Sequence, residues 1–479
     1  MLESIFRPFV EKSPICVTAA GAMSRLLSAE RLDGLFERAR VGQYAHRLLF
    51  SSTFELMAAV VSGGRKSVHH AYQTAEHPLG VSVVAVYDKL KGIEPCTSQA
   101  LVRDVGAEVS ALVDQMGGGG GAGVLFEPLL AGYHTRILDG NCIEASHHRI
   151  KELRGTAAGA LPGKSLVVLD ADRRVICDVF PCEDGHAQER ALLGQVVPTI
   201  RAGELWIDDR NFCTFEFLWE IDAGKAFFVT RLHGNMACQP RGERVLVGRT
   251  DTGTVYEQLV LVRGEGGREL RLRRVDVELD GATRDGDKVV SLLSNLPGEA
   301  DEGDERGRGP AVGALRIAGL YLCRWRIETA FQELEGLLNS EVNALGYPKA
   351  ALFGFCVALV LYNALSLMRA ALAAVHGARK VEEEVSSYYI AAELETTTRG
   401  MMIAVPLEHW AVFGSMPPGQ FLDVMRMLAG KFNLLHFKKH PRGPKKPQPK
   451  RTYDPAHPHV STAKLLAMRS PRKRRPTHP

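Results

Sequence analysis

The sequence predicts a protein of mixed α/β class. Apolar residues recur at three- and four-residue steps through about the first 115 positions, as in helices that pack through one face. Between 133 and 293, short apolar or alternating runs lie between turns rich in glycine and aspartate, which is typical of strands. From 312 onward the helical spacing returns. A chain of 479 residues, 45% of them hydrophobic, is long enough to bury a sizeable core, and its composition excludes a disordered polymer.

The first part, 1–116, is predicted to be a helical bundle that binds DNA. Segments 67–74 and 82–90 predict two short helices around a break at 78–80, and Ser82 is a plausible N-cap for the second. This is the outline of a helix-turn-helix. Simple packing within the bundle produces the same outline and is the commoner explanation. The side chains within reach of DNA phosphates are Lys66, His69, His70, Lys89 and Lys91.

A glycine-rich segment, 117–130, is predicted to link the bundle to a second domain, because consecutive glycines lose much backbone entropy on ordering. The region 131–233 then predicts a strand that ends on Asp139, a hairpin that turns at Asp170 and Asp172, and helical spacing over 185–200. A further strand closes on Asp208 and Asp209, and 226–232 follows as a fifth strand. Acidic residues therefore follow the first and fourth strands.

The region 234–311 predicts antiparallel strands. Segments around 244–248, 256–262, 269–277 and 288–293 alternate or run apolar between glycine-rich turns. A charged, glycine-rich loop at 298–309 leads into the next helix.

The stretch YLCRWRIETAFQELEGL, which begins at Tyr321, predicts a helix within the region 312–378. Tyr321, Arg324 and Glu328 stand at i, i+3 and i+7 and so share one face, beside an apolar stripe. A carboxylate at the edge of a core is costly without a partner or a metal ion. Spacing alone leaves two interpretations open, an ion pair between Arg324 and Glu328 within the helix and a catalytic role for the glutamate.

The same stretch resembles the Y-x2-R-x3-E signature of DDE transposases of bacterial insertion sequences, in particular the insertion sequence four family. The resemblance covers about 136–365, and Asp209 begins a run similar to the family's D-R-x-F/Y continuation. It implies an RNase H-like core at 131–233 and 312–378, interrupted by a β-rich insertion at 234–311. Two departures from the family are visible. Gln332 and Glu335 stand where relatives carry basic residues, and Val289 and Val290 stand where some relatives keep a tryptophan.

The resemblance implies a catalytic triad of Asp139, Asp209 and Glu328. Carboxylate oxygens at strand ends suit Mg²⁺ or Mn²⁺, and a pair of such ions supports phosphoryl transfer on DNA. Asp208 competes with Asp209, because successive strand residues face opposite sides, and at a strand-to-helix junction either acid also serves as a cap. The residues expected to contact DNA are Tyr321, Arg324, Arg210 and, in the tail, Lys445, Lys446, Lys450 and Arg451.

The remaining segments predict a buried helix, a helical region and a basic tail. Residues 350–368 carry no charge and are nominally long enough to cross a bilayer, but Asn363 and Ser366 favour a helix buried beneath the sheet. Segment 379–437 shows amphipathic helical spacing. From 438 to 479 the chain is proline-rich and basic, so we expect it to be extended and without a core.

Charge and cysteine usage indicate a cytoplasmic, DNA-bound protein. From residue 431 to the end there are fourteen lysines and arginines and one acid, Asp454. Nine scattered cysteines fit reduced thiols, and Cys177, Cys182 and His186 lack the spacing and fourth ligand of a zinc site. The first residues mix charges at once, so no export signal is expected. By resemblance, the partners are double-stranded DNA and a second copy of the chain, without a membrane.

Three functions follow from these observations. The first is a transposase that binds terminal inverted repeats, cleaves the transposon ends and joins them to target DNA. The second is a DNA-binding repressor derived from a transposase, with an inactive site. The third is a structure-specific nuclease without strand transfer.

Overall fold

The computed structural model describes residues 2–440 and 458–469, apart from 45–46, 76–77, 119–123, 144–149, 154–155, 157, 284–285, 299–308 and 343–344. Within these residues, a large mixed sheet is flanked by helices, as the predicted α/β class requires.

Among the described residues, seven α-helices precede the sheet, and they cover the predicted bundle. Ser67 and Ser82 cap the fifth and sixth, since their hydroxyls accept hydrogen bonds from His70 N and Ala85 N. The helices are α1 Arg7–Lys12, α2 Pro14–Leu26, α3 Ala29–Ala39, α4 Phe50–Val61, α5 Val68–Gln73, α6 Val83–Gly92 and α7 Pro95–Gly118.

Twelve strands lie in the described part of the chain. They are β1 His134–Ile143, β2 Gly159–Leu161, β3 Gly163–Asp170, β4 Val175–Cys182, β5 Glu204–Asp208, β6 Phe227–Arg231, β7 Cys238–Pro240, β8 Val245–Thr250, β9 Gly253–Arg263, β10 Glu269–Leu279, β11 Val289–Ser294 and β12 His459–Ser461.

The sheet is ordered β4-β3-β1-β5-β6-β11-β10-β9-β7, with β8 paired to β9. Strands β1, β5 and β6 are parallel, whereas β3 and β4 form the predicted antiparallel hairpin. The strands of the 234–311 region pair antiparallel, as predicted, and β11 joins β6 so that they extend the same sheet.

Asp139 does not end its strand, contrary to the prediction. Strand β1 continues to Ile143 because β3 pairs with it along this whole length. The parallel pairing with β5 stops at Ile137, so Asp139 lies just beyond the point where this neighbour ends. The acid therefore still lies at an edge of the parallel part of the sheet.

The predicted helix over 185–200 is instead a succession of three short turns. Glu189–Leu192 and Val197–Thr199 are 3-10 helices, and α8, Leu193–Val196, lies between them. Pro198 has no N–H to donate, which prevents a longer helix across this segment. Further 3-10 turns are Ser4–Phe6, Lys151–Leu153, Arg210–Phe212, Glu265–Gly267 and Leu434–Phe437.

Nine more α-helices lie after β5 in the residues that the structure describes. They are α9 Phe215–Ala223, α10 Ala314–Leu322, α11 Trp325–Leu337, α12 Pro348–His376, α13 Ala378–Glu384, α14 Ser387–Ala404, α15 Leu407–Ser415, α16 Pro418–Gly430 and α17 Thr462–Arg469. The single helix predicted through Tyr321 and Glu328 is thus two helices, which meet at Cys323 and Arg324.

The long apolar helix α12 lies inside the protein. It is long and apolar enough to cross a membrane by length and composition, but its most apolar window is completely buried within the structure. It packs against α2, α4, α6, α7 and α16. The Asn363 side chain accepts from the N–H and donates to the carbonyl of Ile176 on the outer strand β4. The bundle and one face of the sheet therefore share a hydrophobic core.

Part of the predicted coreless tail is folded, which corrects the sequence prediction for residues 458–469. Strand β12 pairs with β2, and Val460, Leu465 and Leu466 pack against a small cluster around Ile150 and Leu153. The strand pairing and these apolar contacts together hold a segment that its basic, proline-rich surroundings predicted to be extended. The basic segment 441–457, with Lys445, Lys446, Lys450 and Arg451, lies outside the described residues.

Candidate active site

The three predicted acids are supplied by three different elements. Asp139 projects from β1, Asp209 follows the last residue of β5, and Glu328 lies in the first turn of α11. Helix α11 packs against the strand that carries Asp139, through an apolar side that includes Ile327 and Leu334, both almost fully buried. This packing brings the glutamate up to the sheet edge.

Arg324 joins two of these acids. One terminal guanidinium nitrogen lies 2.9 Å from Asp139 Oδ2, and the other lies 2.6 Å from Glu328 Oε1. The arginine is about 9% exposed. The ion pair between Arg324 and Glu328, one of the two interpretations of the sequence, is therefore present. The same arginine also binds Asp139, so the pair is part of the group of acids.

Tyr321 binds the third acid, Asp209. Its hydroxyl donates a hydrogen bond of 3.1 Å to Asp209 Oδ1. The Tyr321 side chain is mostly buried, and this burial, followed by the negative charge of Asp209, raises the pKa of its hydroxyl. The phenol thus remains a proton donor and orients the aspartate.

Asp208 faces the interior of the sheet. It is completely buried, and one carboxyl oxygen accepts a hydrogen bond from the Thr230 hydroxyl on β6. Its second oxygen is buried without a hydrogen-bond partner. Burial raises the pKa of Asp208 well above its ordinary value, which favours a neutral acid here. Asp209 is the better exposed of the two acids.

The pKa of Asp139 is raised from 3.8 to about 6. Burial is the largest cause, and the charge of Arg324 together with the Gly140 N–H opposes it. The negative charges of Glu328 and Asp209 raise it further, so the three acids are close enough to repel one another.

The three acids supply the right donors for a hard divalent cation, since Mg²⁺ and Mn²⁺ prefer carboxylate oxygens. In this structure, however, Arg324 and Tyr321 already bind oxygens of all three acids. No group of three or more His, Cys, Asp or Glu side chains within the described ranges is placed to hold a metal ion as it stands. The reason at this site is visible, because the guanidinium of Arg324 lies between Asp139 and Glu328 and uses one oxygen of each.

The predicted DNA-contacting residues differ in how exposed their side chains are. Arg210 is exposed and follows Asp209 in sequence, whereas Arg324 is buried and bound to Asp139 and Glu328. In the helix-turn-helix outline, Lys66, His69 and His70 are exposed. Lys89 is used internally, because its ammonium donates to the Tyr44 carbonyl at 2.7 Å and lies over the Phe36 ring. Lys91 is paired with Asp88 at 3.3 Å.

Two residues near the site escaped the sequence analysis. Trp325 is 57% exposed, and the Arg324 guanidinium lies 5.6 Å from its ring centre. Arg231 ends β6, is bound to Asp287 at 2.6 Å and acts electrostatically on Tyr321. Trp325 was detectable as an apolar residue next to the motif arginine. Arg231 had no local signal, since only the strand order brings it near the site.

Cys177 lies in the sheet, away from the three acids. Burial raises the pKa of its thiol to about 12. The thiol donates to the Val168 carbonyl.

Fold and site together define an α/β protein with an acid-rich candidate active site at a sheet edge. No protein-family model matches the chain. Over 202 residues, or 40% of this chain, the sequence is 29% identical to the Sinorhizobium fredii protein named "Putative transposase y4zB". The match spans about half, 49%, of that relative. This similarity supports a transposase and does not identify the insertion sequence four family.

A solved structure was also found by comparison of folds. The cryo-EM structure of a piggyBac transposase synaptic complex with hairpin DNA aligns over 85% of this chain and 84% of that chain, with 13% sequence identity and a TM-score of 0.36. A TM-score this low does not establish a shared fold.

Proposed function

We propose that the protein is a DDE transposase of the insertion sequence four type, which cleaves DNA at transposon ends and transfers the freed strand to target DNA. One observation carries the proposal: Asp139, Asp209 and Glu328, far apart in sequence, are joined into one site through Arg324 and Tyr321. The similarity to the Sinorhizobium fredii protein supports the same conclusion.

The strand order supports an RNase H-like core. A central β1 lies between the antiparallel β3–β4 hairpin and the parallel strands β5 and β6, with acids on β1 and after β5. The strands β7 to β11 occupy the chain between β6 and the helices of the motif, where the family's β-rich insertion is expected.

The chemistry proposed for the site is phosphoryl transfer. Asp139, Asp209 and Glu328 are the residues that would hold Mg²⁺ or Mn²⁺, and a pair of these ions would activate a water or 3′-hydroxyl and stabilise the leaving oxygen. Tyr321 orients Asp209 by donating a hydrogen bond to it. The planar fork of Arg324 matches a phosphate as well as it matches a carboxylate, and exposed Arg210 is suited to a phosphate beside the site.

The partners in this proposal are the terminal inverted repeats and the target DNA. The basic segment that contains Lys445, Lys446, Lys450 and Arg451 would bind the DNA backbone without reading sequence. By family resemblance, two copies of the chain would act together in a bacterial cytoplasm, and excision would proceed through a hairpin on the transposon end.

A DNA-binding repressor is the second candidate, favoured by two observations. Arg324 occupies the acids, and Glu335 is an exposed acid on α11 where relatives carry lysine. A repressor would bind the terminal repeats without cutting them.

The test is cleavage of DNA that carries the terminal repeats flanking the gene, in the presence of Mg²⁺. Asp139→Ala, Asp209→Ala and Glu328→Ala are each expected to abolish cleavage while DNA binding persists. Glu220→Gln, which changes an exposed acid on α9, is the matched control and should cut normally. Wild-type protein that binds these ends but never cuts them would favour the repressor. Cutting without joining to target DNA would favour a nuclease.

A further inference from the structure

The guanidinium of Arg324 is held as a cation between two acids. It donates to Asp139 at 2.9 Å and to Glu328 at 2.6 Å, and these are its two terminal nitrogens. Its remaining nitrogen, Nε, is buried and has no hydrogen-bond partner in the described part of the chain. An arginine placed only for stability would usually satisfy this donor as well, because a buried unpaired N–H is costly.

Arg324 lies next to the acids and also close to the protein surface. It lies at the junction between α10 and α11, one residue before the first turn of α11. The guanidinium lies 6.0 Å from the centre of the Tyr321 ring and 5.6 Å from the centre of the Trp325 ring. Trp325 is 57% exposed, so a side chain that moves toward it leaves the buried acids for solvent.

A guanidinium and a divalent cation would compete for these acids. Both need the same carboxylate oxygens, and two positive charges in one small, poorly solvated site repel strongly. A single phosphate could offer one oxygen to each terminal nitrogen, in place of the two oxygens that Asp139 and Glu328 now supply separately. An exchange of carboxylates for a DNA phosphate therefore conserves the hydrogen bonds of Arg324 and frees the acids.

We propose that Arg324 closes the acid site in the DNA-free protein and that DNA opens it to the divalent cation by taking the guanidinium onto a backbone phosphate. This inference rests on the proposed function for the identity of the two ligands. Linkage makes the effect reciprocal: DNA raises the affinity for the cation, and the cation raises the affinity for DNA by the same factor. The transposase would then assemble its metal site only when DNA is bound.

The first experiment measures Mn²⁺ binding to the full-length, DNA-free protein after treatment with EDTA and buffer exchange, from the electron paramagnetic resonance signal of free Mn²⁺. Arg324→Gln is expected to bind Mn²⁺ roughly tenfold or more tightly than wild type, a usual size for such coupling. The matched control is Arg326→Gln, since Arg326 carries the same charge two residues away on α11 but donates to the Ala171 carbonyl. It should leave the Mn²⁺ affinity at the wild-type value.

A double variant assigns the gain to this site. Adding Glu328→Gln to Arg324→Gln should remove the gain in Mn²⁺ affinity. Equal affinity in folded wild type and Arg324→Gln, or an equal gain in Arg326→Gln, would overturn the proposal.

A second experiment needs no variant and so remains decisive if Arg324→Gln does not fold. Mn²⁺ affinity of the wild-type protein is measured with and without a short duplex oligonucleotide, after correction for Mn²⁺ bound by the duplex alone. We expect roughly tenfold tighter binding with the duplex. An unchanged affinity on saturation with DNA would overturn the proposal.

The two proposals fail in different ways. If the duplex and Arg324→Gln both raise the Mn²⁺ affinity but the protein never cuts its flanking repeats, closure by Arg324 is supported and the proposal of transposase activity is refuted. If the protein cuts DNA but neither change alters the Mn²⁺ affinity, the proposed activity is supported and closure by Arg324 is refuted.

Discussion

Replacement of Asp139 by asparagine should stabilise the protein by an amount that grows with pH. The pKa of Asp139 is 3.8 in an ordinary environment and about 6 in the folded protein. Between these two values the unfolded chain has lost the proton and the folded chain keeps it, so unfolding releases a proton and rising pH favours unfolding. Below about pH 4 the favourable contribution of the raised pKa is fully present, and above about pH 6 it is lost.

The magnitude follows from the size of the pKa shift. One pKa unit corresponds to about 1.4 kcal/mol, so a shift of about two units limits the change to about 3 kcal/mol. Asparagine cannot ionise. The variant should therefore gain stability relative to wild type from about pH 4 to about pH 6, and the difference should stay constant at higher pH.

The assay is urea unfolding of both proteins across this pH range in the presence of EDTA. In an Arg324→Gln background the attraction that lowers the Asp139 pKa is removed, so the pH-dependent interval should extend to higher pH. Glu220→Gln is the control and should show a flat difference from wild type. A flat difference for Asp139→Asn, or one that falls with rising pH, would refute the proposed environment of this acid.

Three other perturbations test the fold and the tail. Asn363→Leu should cost about 2–5 kcal/mol in urea unfolding, because it keeps the volume but leaves the buried N–H and carbonyl of Ile176 without their partner; wild-type stability would contradict this pairing. Gly106→Ala should cost about 1–3 kcal/mol in the same assay, since its Cβ would lie 2.7 Å from the Ile176 carbonyl oxygen, and a neutral effect would show that α7 shifts freely. Neutralising the basic segment should weaken DNA binding evenly across sequences and flatten its salt dependence, measured by fluorescence anisotropy; an unchanged salt slope would remove the segment from the interface. The glutamine substitutions are made at Lys445, Lys446, Lys450 and Arg451.

The strands and helices were largely predictable because they depend on local patterns. The hairpin around Asp170, the antiparallel strands after 234 and the cap at Ser82 are formed by neighbouring residues, and each has a residue-level signal. The division at Arg324 had no such signal. Spacings of i, i+3 and i+7 look the same along one helix as across two helices that meet end to end. The motif therefore predicts that the three residues share a face, but not that the helix is interrupted between them.

Pairings between strands far apart in sequence were harder to predict. The extension of the sheet through β11 and β6, and the return of the chain through β12 to β2, join segments far apart in sequence whose local patterns allow several partners. The length of β1 beyond Asp139 depends on β3, which pairs with it where β5 no longer does. The sequence therefore suggested the three acids and the pairing of Arg324 with Glu328, while the bond from Arg324 to Asp139 depends on the packing of α11 against β1.

A site for divalent cations faces a physical difficulty before its cations arrive. Three acids drawn together at a partly buried sheet edge repel one another, as the raised pKa of Asp139 indicates. Arg324 reduces this repulsion because it supplies a positive charge shared by Asp139 and Glu328. The same charge that keeps the acids assembled must then leave before a cation enters. A phosphate is the natural acceptor for it, which couples assembly of the chemical site to arrival of the nucleic acid.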